Sequence, residues 1–379
     1  MALKWKLFLV LISVFVYSCK EKYIPAVVDA KVNYLVVEGF INTGEDSTII
    51  TLSRTINLNG KAVAAPEKGA TVSVENSGSQ SVTLPEIKAG SYAIPKLTIN
   101  KTGQFRIKIR TATGREYVSD FVDSKVSPVL DSITYDFRNS SLNLQVNSKD
   151  PTGNSQYYLY SFVETYLYEA AFHSFFKLEN RQILERKFPQ EDVYRCWRTA
   201  PSTTVNLMTT TALSQDRLDH VVLIRIPSNS QKISVDYSVL VKQHVLTRQG
   251  FDFWSALRKN TEQIGTIFDS QPSLLNGNIH SVTNPGEYVI GFISAGTTSQ
   301  KRIFVTKEQL PKDWRFTYTG CKLDTLSTGE ITQPQDPVFY PIDQYVKDGV
   351  PKGWFASDYV PCFDCRTSGG TTTKPSFWH

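Results

Sequence analysis

Apolar and polar residues alternate over short stretches of the chain from residue 32 onward, and clusters such as Asn59-Gly60 and Thr113-Gly114 separate these stretches. In residues 104–110 every second residue is apolar, and basic residues lie between them. This period of two is typical of a strand with one buried and one solvated face. About seven such strands, spaced by roughly 8–12 residues, predict an antiparallel sandwich of the immunoglobulin-like or transthyretin-like kind over residues 32–125.

A second β-rich domain is predicted over residues 126–309. Pro128 opens the junction, and strand patterns resume at residues 142–147, in the aromatic segment 156–177 and at residues 233–245. One amphipathic helix is predicted near residues 248–268, because Phe251, Trp254 and Leu257 recur at helical spacing. The chain is therefore predicted to be mainly β, with two antiparallel sandwich modules and one helix that seals a sheet.

The last segment, residues 310–379, has no clear strand or helix pattern, and prolines recur along it. A long segment without regular structure in a compact protein is usually functional or pinned covalently. We therefore expect an irregular C-terminal extension that packs on the second domain and is pinned by disulfides.

The N-terminus has the pattern of a lipoprotein export signal. Lys4 and Lys6 precede an apolar run at residues 7–16, and the small residue Ser18 comes directly before Cys19. The run is about ten residues long, whereas ~20 are needed to span a bilayer, which favours a cleaved signal. We predict a signal peptide at residues 1–18, lipid on Cys19 and a tether at residues 19–31. An ordinary secretory signal is the alternative.

The overall charge does not favour a nucleic-acid partner. The formal net charge is +5, and Lys4 and Lys6 contribute two of these charges, so the mature chain carries about +3. Such a small excess does not predict nucleic-acid binding. Aromatic residues make up 12% of the chain and charged residues 20%, which indicates a folded protein with a polar surface. The membrane contact is expected to come from the lipid.

The remaining four cysteines predict two disulfides, because an even number in an oxidising compartment usually pairs. Three pairings are possible, and the sequence does not choose between them. A zinc site is the alternative, but four-cysteine sites usually have two Cys-x-x-Cys pairs, and this chain has only one. Reduction is expected to loosen the C-terminal tail before either sandwich melts. The four disulfide candidates are Cys196, Cys321, Cys362 and Cys365.

Residues 156–177 are unusually aromatic. The segment is either a core strand buried on both sides or a surface for sugar stacking or protein binding. Any ligand site is expected where this segment meets residues 251–279, because the two supply aromatic rings and Asn or Asp hydrogen-bonding groups. The candidate residues of such a binding surface are Tyr158, Tyr160, Tyr166, Trp254, Asn276 and Asn278.

Motifs of known enzyme classes are not found. The five histidines include no pair with the i, i+4 spacing of metal ligands, and the chain has no nucleophile elbow, phosphate loop or dinucleotide fingerprint. We therefore predict no metal, no cofactor and no catalytic residue. Glycosidases need only two carboxylates, which can lie far apart in sequence. The carboxylates to test are Asp252, Glu262, Asp269 and Glu287, with surface or capping roles as the alternative.

Several motifs resemble those of a family of Bacteroidota lipoproteins that share a domain of unknown function. They are VVEG at residues 36–39, GFDFW at 250–254, GTIFDSQP at 265–272, NGNI at 276–279 with GF at 291–292, and CFDCRTSGGT at 362–371. The resemblance covers nearly the whole mature chain and implies a lipoprotein of the outer membrane, often on the cell surface. It also implies a TonB-dependent, SusC-like receptor as genomic neighbour, and we therefore expect such a barrel to be the partner. It implies no catalytic or ligand residues.

Three functions follow as hypotheses. The first is a non-enzymatic surface lipoprotein that acts as a binding or lid accessory of the TonB-dependent barrel. The second keeps the barrel partner and assigns a role in the biogenesis of outer-membrane proteins or surface lipoproteins. The third is a glycan- or peptide-degrading enzyme. Depletion separates the first two, because loss of one nutrient's uptake differs from a general loss of outer-membrane proteins.

Overall fold

The computed structural model describes residues 33–55, 64–262, 275, 277–334 and 336–378. The predicted signal peptide, Cys19 and most of the tether lie outside these residues. The described part is mainly β, as predicted, and its sheets fit a sandwich-like fold. Within it, no helix has the length and apolar character required to cross a membrane.

The strands and helices follow one another along the described residues in a simple order. The first ten strands are β1 (Leu35–Asn42), β2 (Thr48–Arg54), β3 (Ala65–Pro66), β4 (Thr71–Asn76), β5 (Ser81–Leu84), β6 (Glu86–Lys88), β7 (Ser91–Ile94), β8 (Gln104–Arg110), β9 (Glu116–Ser119) and β10 (Val122–Lys125). The middle elements are β11 (Leu130–Arg138), β12 (Ser141–Lys149), β13 (Tyr157–Glu169), β14 (Phe176–Glu179), β15 (Gln182–Glu185), β16 (Arg195–Pro201), β17 (Asn206–Thr209), β18 (Arg217–Pro227), β19 (Asp236–Val245) and α1 (Arg248–Glu262). The last are β20 (Ile279–Ser281), β21 (Val289–Ile290), β22 (Ser294–Gly296), β23 (Thr298–Thr306), β24 (Asp324–Leu326), α2 (Thr328–Thr332), β25 (Tyr340–Lys347) and β26 (Val350–Ser357).

The N-terminal strands surround one apolar cluster. The alternation predicted for residues 104–110 is confirmed, because Phe105, Ile107 and Ile109 of β8 are fully buried while the basic residues between them are not. Strands β1, β2 and β7 contribute to the same cluster from the other side, for example through Leu35 and Leu52. Burying these side chains away from water is the main term that stabilises such a core.

Strands β20 to β22 complete this N-terminal sheet. The sequence had predicted that they belong to the second domain, residues 126–309. Strand β20 pairs antiparallel with β9, and β22 runs parallel between β1 and β10. Gly291 permits the close approach, because a Cβ atom there would lie 2.2 Å from the Val37 carbonyl oxygen. The prediction was wrong here because alternation marks a strand but does not identify a distant pairing partner.

Two further sheets, which we call the second pair of sheets, enclose the larger cluster of aromatic and aliphatic side chains. One sheet has the order β11-β12-β18, and the other has the order β16-β13-β19-β23, with β17 also paired to β13. The two sheets are joined on the β11 and β23 side. There the Leu130 N–H donates to Ser299 Oγ at 2.8 Å, and the Lys301 ammonium donates to the Asp131 carbonyl at 2.6 Å. On the opposite side, no strand pairing among the described residues joins β18 to the edge strands β16 and β17.

Helix α1 lies beside the beginning of strand β13. Its Phe251 ring lies 5.1 Å from the Tyr157 ring, and its buried Phe253 lies 5.5 Å from Phe292. The helix begins at Arg248, as predicted, and the predicted residues 263–268 lie outside the described part of the chain. The apolar stripe therefore seals the space between β13 and the returning segment, as expected.

The C-terminal extension is more regular than predicted. Strands β24, β26 and β25 form a sheet in that order, and the short helix α2 begins with a capping box at Ser327 and Glu330. The prediction of an irregular tail was wrong because bulges next to Pro341 and near Val346 disrupt the period of two in β25. Proline is tolerated there because β25 is an edge strand, where one backbone donor is not needed.

Both predicted disulfides are confirmed, and all four cysteines are used. Cys196 of β16 pairs with Cys365, and Cys321 pairs with Cys362. After Cys365 the chain crosses the outside of the second pair of sheets, where Thr371 bridges to Trp197 and the Trp378 ring contacts Phe304. We call residues 371–378 the C-terminal strap.

Candidate functional site

A large cavity lies on the open side of the second pair of sheets, between the edge strands β18 and β17. Its volume is about 780 Å³, within the ~300–1,000 Å³ that is usual for ligand pockets. We call this cavity the edge groove. It is lined by Phe162, Glu164, residues 200–208, residues 222–227, Ser230, Lys232 and Arg258.

One wall of the edge groove is a loop that projects from the sheet edge. Strands β16 and β17 both pair with β13, but Pro201 lies opposite Val163 while Asn206 lies opposite Tyr160. Four residues, 202–205, therefore span a distance that two residues cover in β13. The Ser202 N–H donates to the Phe162 carbonyl at 2.7 Å and fixes the base of the loop, so that the loop bulges outward and forms a wall.

The floor of the edge groove is apolar. Phe162, Ile224 and Ile226 are buried members of the core cluster, and Met208 packs against it. Val222 is 41% exposed at the mouth, although it is a large apolar residue. The exposed apolar surface of the groove therefore lies at its mouth, and exposed apolar surface of this kind is frequent at interaction sites.

Glu164 is the one acidic residue in the described lining, and it is almost fully buried. Its Oε2 accepts from the Lys232 ammonium at 2.6 Å, and its Oε1 accepts from the Tyr237 hydroxyl at 2.8 Å. Burial and the neighbouring Glu164 raise the pKa of Tyr237 well above its ordinary value, so the hydroxyl stays a donor. Both oxygens of the Glu164 carboxylate are thus engaged, which makes it a positioned hydrogen-bond acceptor rather than a free base.

Lys232 reaches Glu164 because of a short local turn. Residues Gln231–Ile233 form one turn of 3-10 helix, and the Ser230 side chain accepts from the Lys232 N–H at its start. This cap orients the Lys232 side chain towards the groove.

Two more cations lie on the rim of the edge groove. The Arg225 guanidinium donates from Nε to Asn143 Oδ1 at 3.0 Å, which is a neutral acceptor. Arg258 extends from helix α1. Within the described part of the chain, neither guanidinium lies within 4.0 Å of a carboxylate oxygen. Because Lys232 and Glu164 balance each other, the described lining carries a net excess of two positive charges.

Three tyrosines predicted as an exposed binding surface are buried. Tyr158 is 0% exposed, Tyr160 1% and Tyr166 6%, so the prediction was wrong for these residues. The Tyr158 hydroxyl donates to Asp216 Oδ1 at 2.8 Å, and the Tyr160 hydroxyl donates to Gln243 Oε1 at 2.6 Å. Burial raises the pKa of both hydroxyls, which keeps them protonated as donors within the core. The interpretation as a core strand was the better one.

The predicted meeting point of the aromatic segment and residues 251–279 does contain further cavities. One of about 690 Å³ is lined by Tyr157, Arg248 and Asp252, and one of about 400 Å³ is lined by Asp252, Phe253 and Asn278. Asn278 is itself buried and bonds the Ile293 backbone through both side-chain atoms, so it holds β20 in place. Trp254 packs edge-on against Phe253, and Asn276 lies outside the described residues.

The candidate carboxylates have different roles. Glu287 accepts from the Tyr117 hydroxyl at 2.7 Å and pairs with Arg54 and Arg115, so it belongs to an ion network of the N-terminal sheet. Asp252 is exposed and lies 3.8 Å from Arg248. The Glu262 side chain and Asp269 lie outside the described residues. Among the described residues, no three His, Cys, Asp or Glu side chains are grouped to hold a metal ion.

Glu164, Lys232 and Arg258 are not among the site residues predicted from the sequence. One signal was present: Glu164 occupies an inward position in a strand whose neighbouring inward positions are Phe162 and Tyr166. A carboxylate at such a position needs partners, and partnered buried carboxylates are often functional.

The fold and the groove define the class of protein. It is a mainly β protein with sandwich-like sheets, and the groove at the open edge of these sheets has an apolar floor and charged side chains. The chain belongs to the family described as Domain of unknown function (DUF4249), whose model matches residues 20–302. No curated protein matches the chain.

A solved structure with some similarity is the crystal structure of chicken CNTN1 FN1-FN3 domains. The identity is 12%, with 56% of this chain and 62% of that chain covered, and the TM-score is 0.18. The match thus spans less than two thirds of that structure.

Proposed function

We propose that this protein acts by binding, as an outer-membrane lipoprotein that serves as a ligand-binding or lid accessory of a TonB-dependent, SusC-like barrel. The edge groove carries the proposal, because an apolar floor beside fixed charges is the usual composition of a binding site. Its Glu164 has both oxygens engaged, which favours binding over acid-base catalysis.

The location and the partner come from the resemblance to Bacteroidota lipoproteins encoded beside such receptors. The apolar run at residues 7–16 and the small residue Ser18 before Cys19 support Cys19 as the first residue of the mature chain. The two separate apolar clusters support two sandwich modules of the immunoglobulin-like or transthyretin-like kind.

Metabolic labelling tests the anchor. We expect an alkyne-bearing palmitate analogue to label the wild-type protein and the outer membrane to retain it, because two or three acyl chains bind a bilayer almost irreversibly. The Cys19→Ala variant should be unlabelled and should leave the membrane fraction. An unlabelled wild type, or a variant that fractionates like the wild type, would contradict the anchor.

Copurification tests the partner. After extraction in a mild detergent, pull-down of the tagged lipoprotein should retain a barrel of receptor size, identified by mass spectrometry. An unrelated lipoprotein of the same membrane, tagged in the same way, is the matched control. Recovery of the lipoprotein alone under several extraction conditions would count against the accessory role.

A further inference from the structure

Strand β18 is a free sheet edge inside the edge groove. In the described part of the chain it pairs only with β12, so the backbone groups on its other side have no ladder partner. Free edges of this kind are templates for an added strand. The proteins that keep such an edge unpaired usually shorten or bulge it, and β18 is bulged next to Ile224.

The usable part of this edge is short and well defined. The ladder with β12 is regular from Ile224 to Pro227, and Val222 extends the groove lining upstream. Pro227 has no N–H and ends the edge. At about 3.3 Å per residue, the lining residues 222–227 span about 20 Å, which is the length of an extended segment of roughly six residues.

The charges of the groove indicate which kind of peptide segment it would bind. Arg225 and Arg258 are the two cations of the lining without a carboxylate among the described residues, and Lys232 is already neutralised by Glu164. A bound segment with carboxylates on one side would match Arg225 and Arg258. Apolar residues on its other side would cover Phe162 and Met208, because successive side chains of a strand point to opposite faces.

We propose that the edge groove binds an extended acidic peptide segment of a partner protein, added along β18 at residues 222–226. The inference rests on the proposed function, since it assigns to the groove the way in which an accessory lipoprotein holds its partner. Main-chain bonds to the edge give affinity, and the rim arginines give specificity for acidic residues.

Met208 provides a direct test. It is in the groove lining, and Met1 is the other of the two methionines in the chain. The mature lipidated protein, reconstituted in nanodiscs with ¹³C-methyl methionine, should show one methionine signal, which is assigned to Met208 with Met208→Leu. The probe is a blocked octapeptide of alternating Glu and Val. We expect saturable movement of the Met208 signal on titration with this peptide.

Charge variants make the test specific. A peptide of alternating Lys and Val should bind at least about tenfold more weakly than the acidic peptide. Arg225→Glu and Arg258→Glu should each lower the affinity for the acidic peptide about fivefold. Lys108→Glu, an equal charge change on the exposed face of β8, is the matched control and should change binding less than about twofold. Thermal melts of each variant confirm that it is folded.

The proposal is overturned if the acidic peptide does not move the Met208 signal, if both peptides bind equally, or if the arginine variants bind like Lys108→Glu. It is also overturned if trigalacturonate, an anionic oligosaccharide, moves the signal and the peptide does not. Peptide binding without a copurified barrel would contradict the accessory role alone. A copurified barrel without peptide binding would contradict this inference alone.

Discussion

At the level of single residues, side-chain contacts connect the N-terminal sheet to the second pair of sheets. The Lys242 ammonium lies 2.6 Å from Asp46 Oδ2, and the His244 ring lies 4.4 Å from the Phe40 ring. Withdrawal from water and the adjacent Lys242 lower the pKa of His244 to about 4. The junction therefore contains an imidazole that is neutral in the folded protein.

His244 should make the folded protein sensitive to acid. The folded pKa of about 4 lies below the ordinary histidine value of 6.5, so the unfolded chain binds the extra proton first. The contribution of neutral His244 is complete above pH 6.5 and is lost as the pH falls from 6.5 to 4. We expect a loss of about 2–3 kcal/mol in the free energy of unfolding.

Urea unfolding at pH 7 and pH 4.5 measures this effect. The wild type should lose more stability than His244→Gln, because glutamine keeps a polar side chain but does not titrate in this range. His280→Gln, at an exposed histidine paired with Asp120, is the control and should follow the wild type. Equal losses in the wild type and His244→Gln would contradict the assignment.

At the element scale, the C-terminal strap depends on a single covalent attachment. Cys365 joins the chain to Cys196 of β16, and the Tyr168 hydroxyl donates to the Cys365 carbonyl. Beyond that point the strap is held by two backbone hydrogen bonds between Thr371 and Trp197. Two ring contacts add to them: Trp378 lies on Phe304, and the Phe377 ring lies 3.6 Å from the Arg302 guanidinium. Such contacts are modest individually, so the position of the strap depends on the disulfide.

Removal of each disulfide should therefore have a different local effect. The Cys196–Cys365 bridge closes 169 residues and the Cys321–Cys362 bridge closes 41. Loop entropy then gives about 5 and about 4 kcal/mol for their removal. In the double variant Cys196→Ala/Cys365→Ala, the backbone amides of residues 371–378 should exchange hydrogen faster, while those of β1–β10 should stay protected. Cys321→Ala with Cys362→Ala is the matched control and should leave the strap protected. Equal exchange of the strap in both variants would be inconsistent with this account.

At the scale of the whole molecule, the chain leaves the N-terminal sheet at β10 and returns to it at β20. Ile279, Val289, Ile293 and Ala295 of the returning segment are at most 4% exposed within the N-terminal cluster. Each large apolar side chain buried in this way contributes about 1.5–3 kcal/mol. Together these side chains contribute on the scale of a domain's total stability, about 5–15 kcal/mol.

Residues 33–125 should consequently not fold alone. We expect this fragment to show no cooperative thermal transition by circular dichroism. The same fragment joined through a flexible linker to residues 277–297 should regain one, because β20 to β22 then restore the cluster. A cooperative transition of residues 33–125 by themselves would support the boundary at residue 126 that the sequence predicted.

Local patterns account for the part of the fold that the sequence could predict. Alternation identified β8 and β12, the aromatic composition indicated the strand β13, helical spacing identified the start of α1, and an even cysteine count predicted two disulfides. The exposed face of β13 could not be predicted, because Tyr157 and Tyr158 are equally aromatic and only the packing decides which is inside. The edge groove was missed because its two walls are separated in the chain.

Strand periodicity, the helix start and the number of cysteine pairs can be read from the amino-acid sequence, since each depends on neighbours a few residues apart or on a simple count. The packed fold sets three further features: which cysteines pair, the return of β20 to β22 to the first sheet, and the contact between Glu164 and Lys232 beside an unpaired edge of the described sheets. These features depend on contacts between distant residues, which form because burial of apolar surface selects one packing of the sheets.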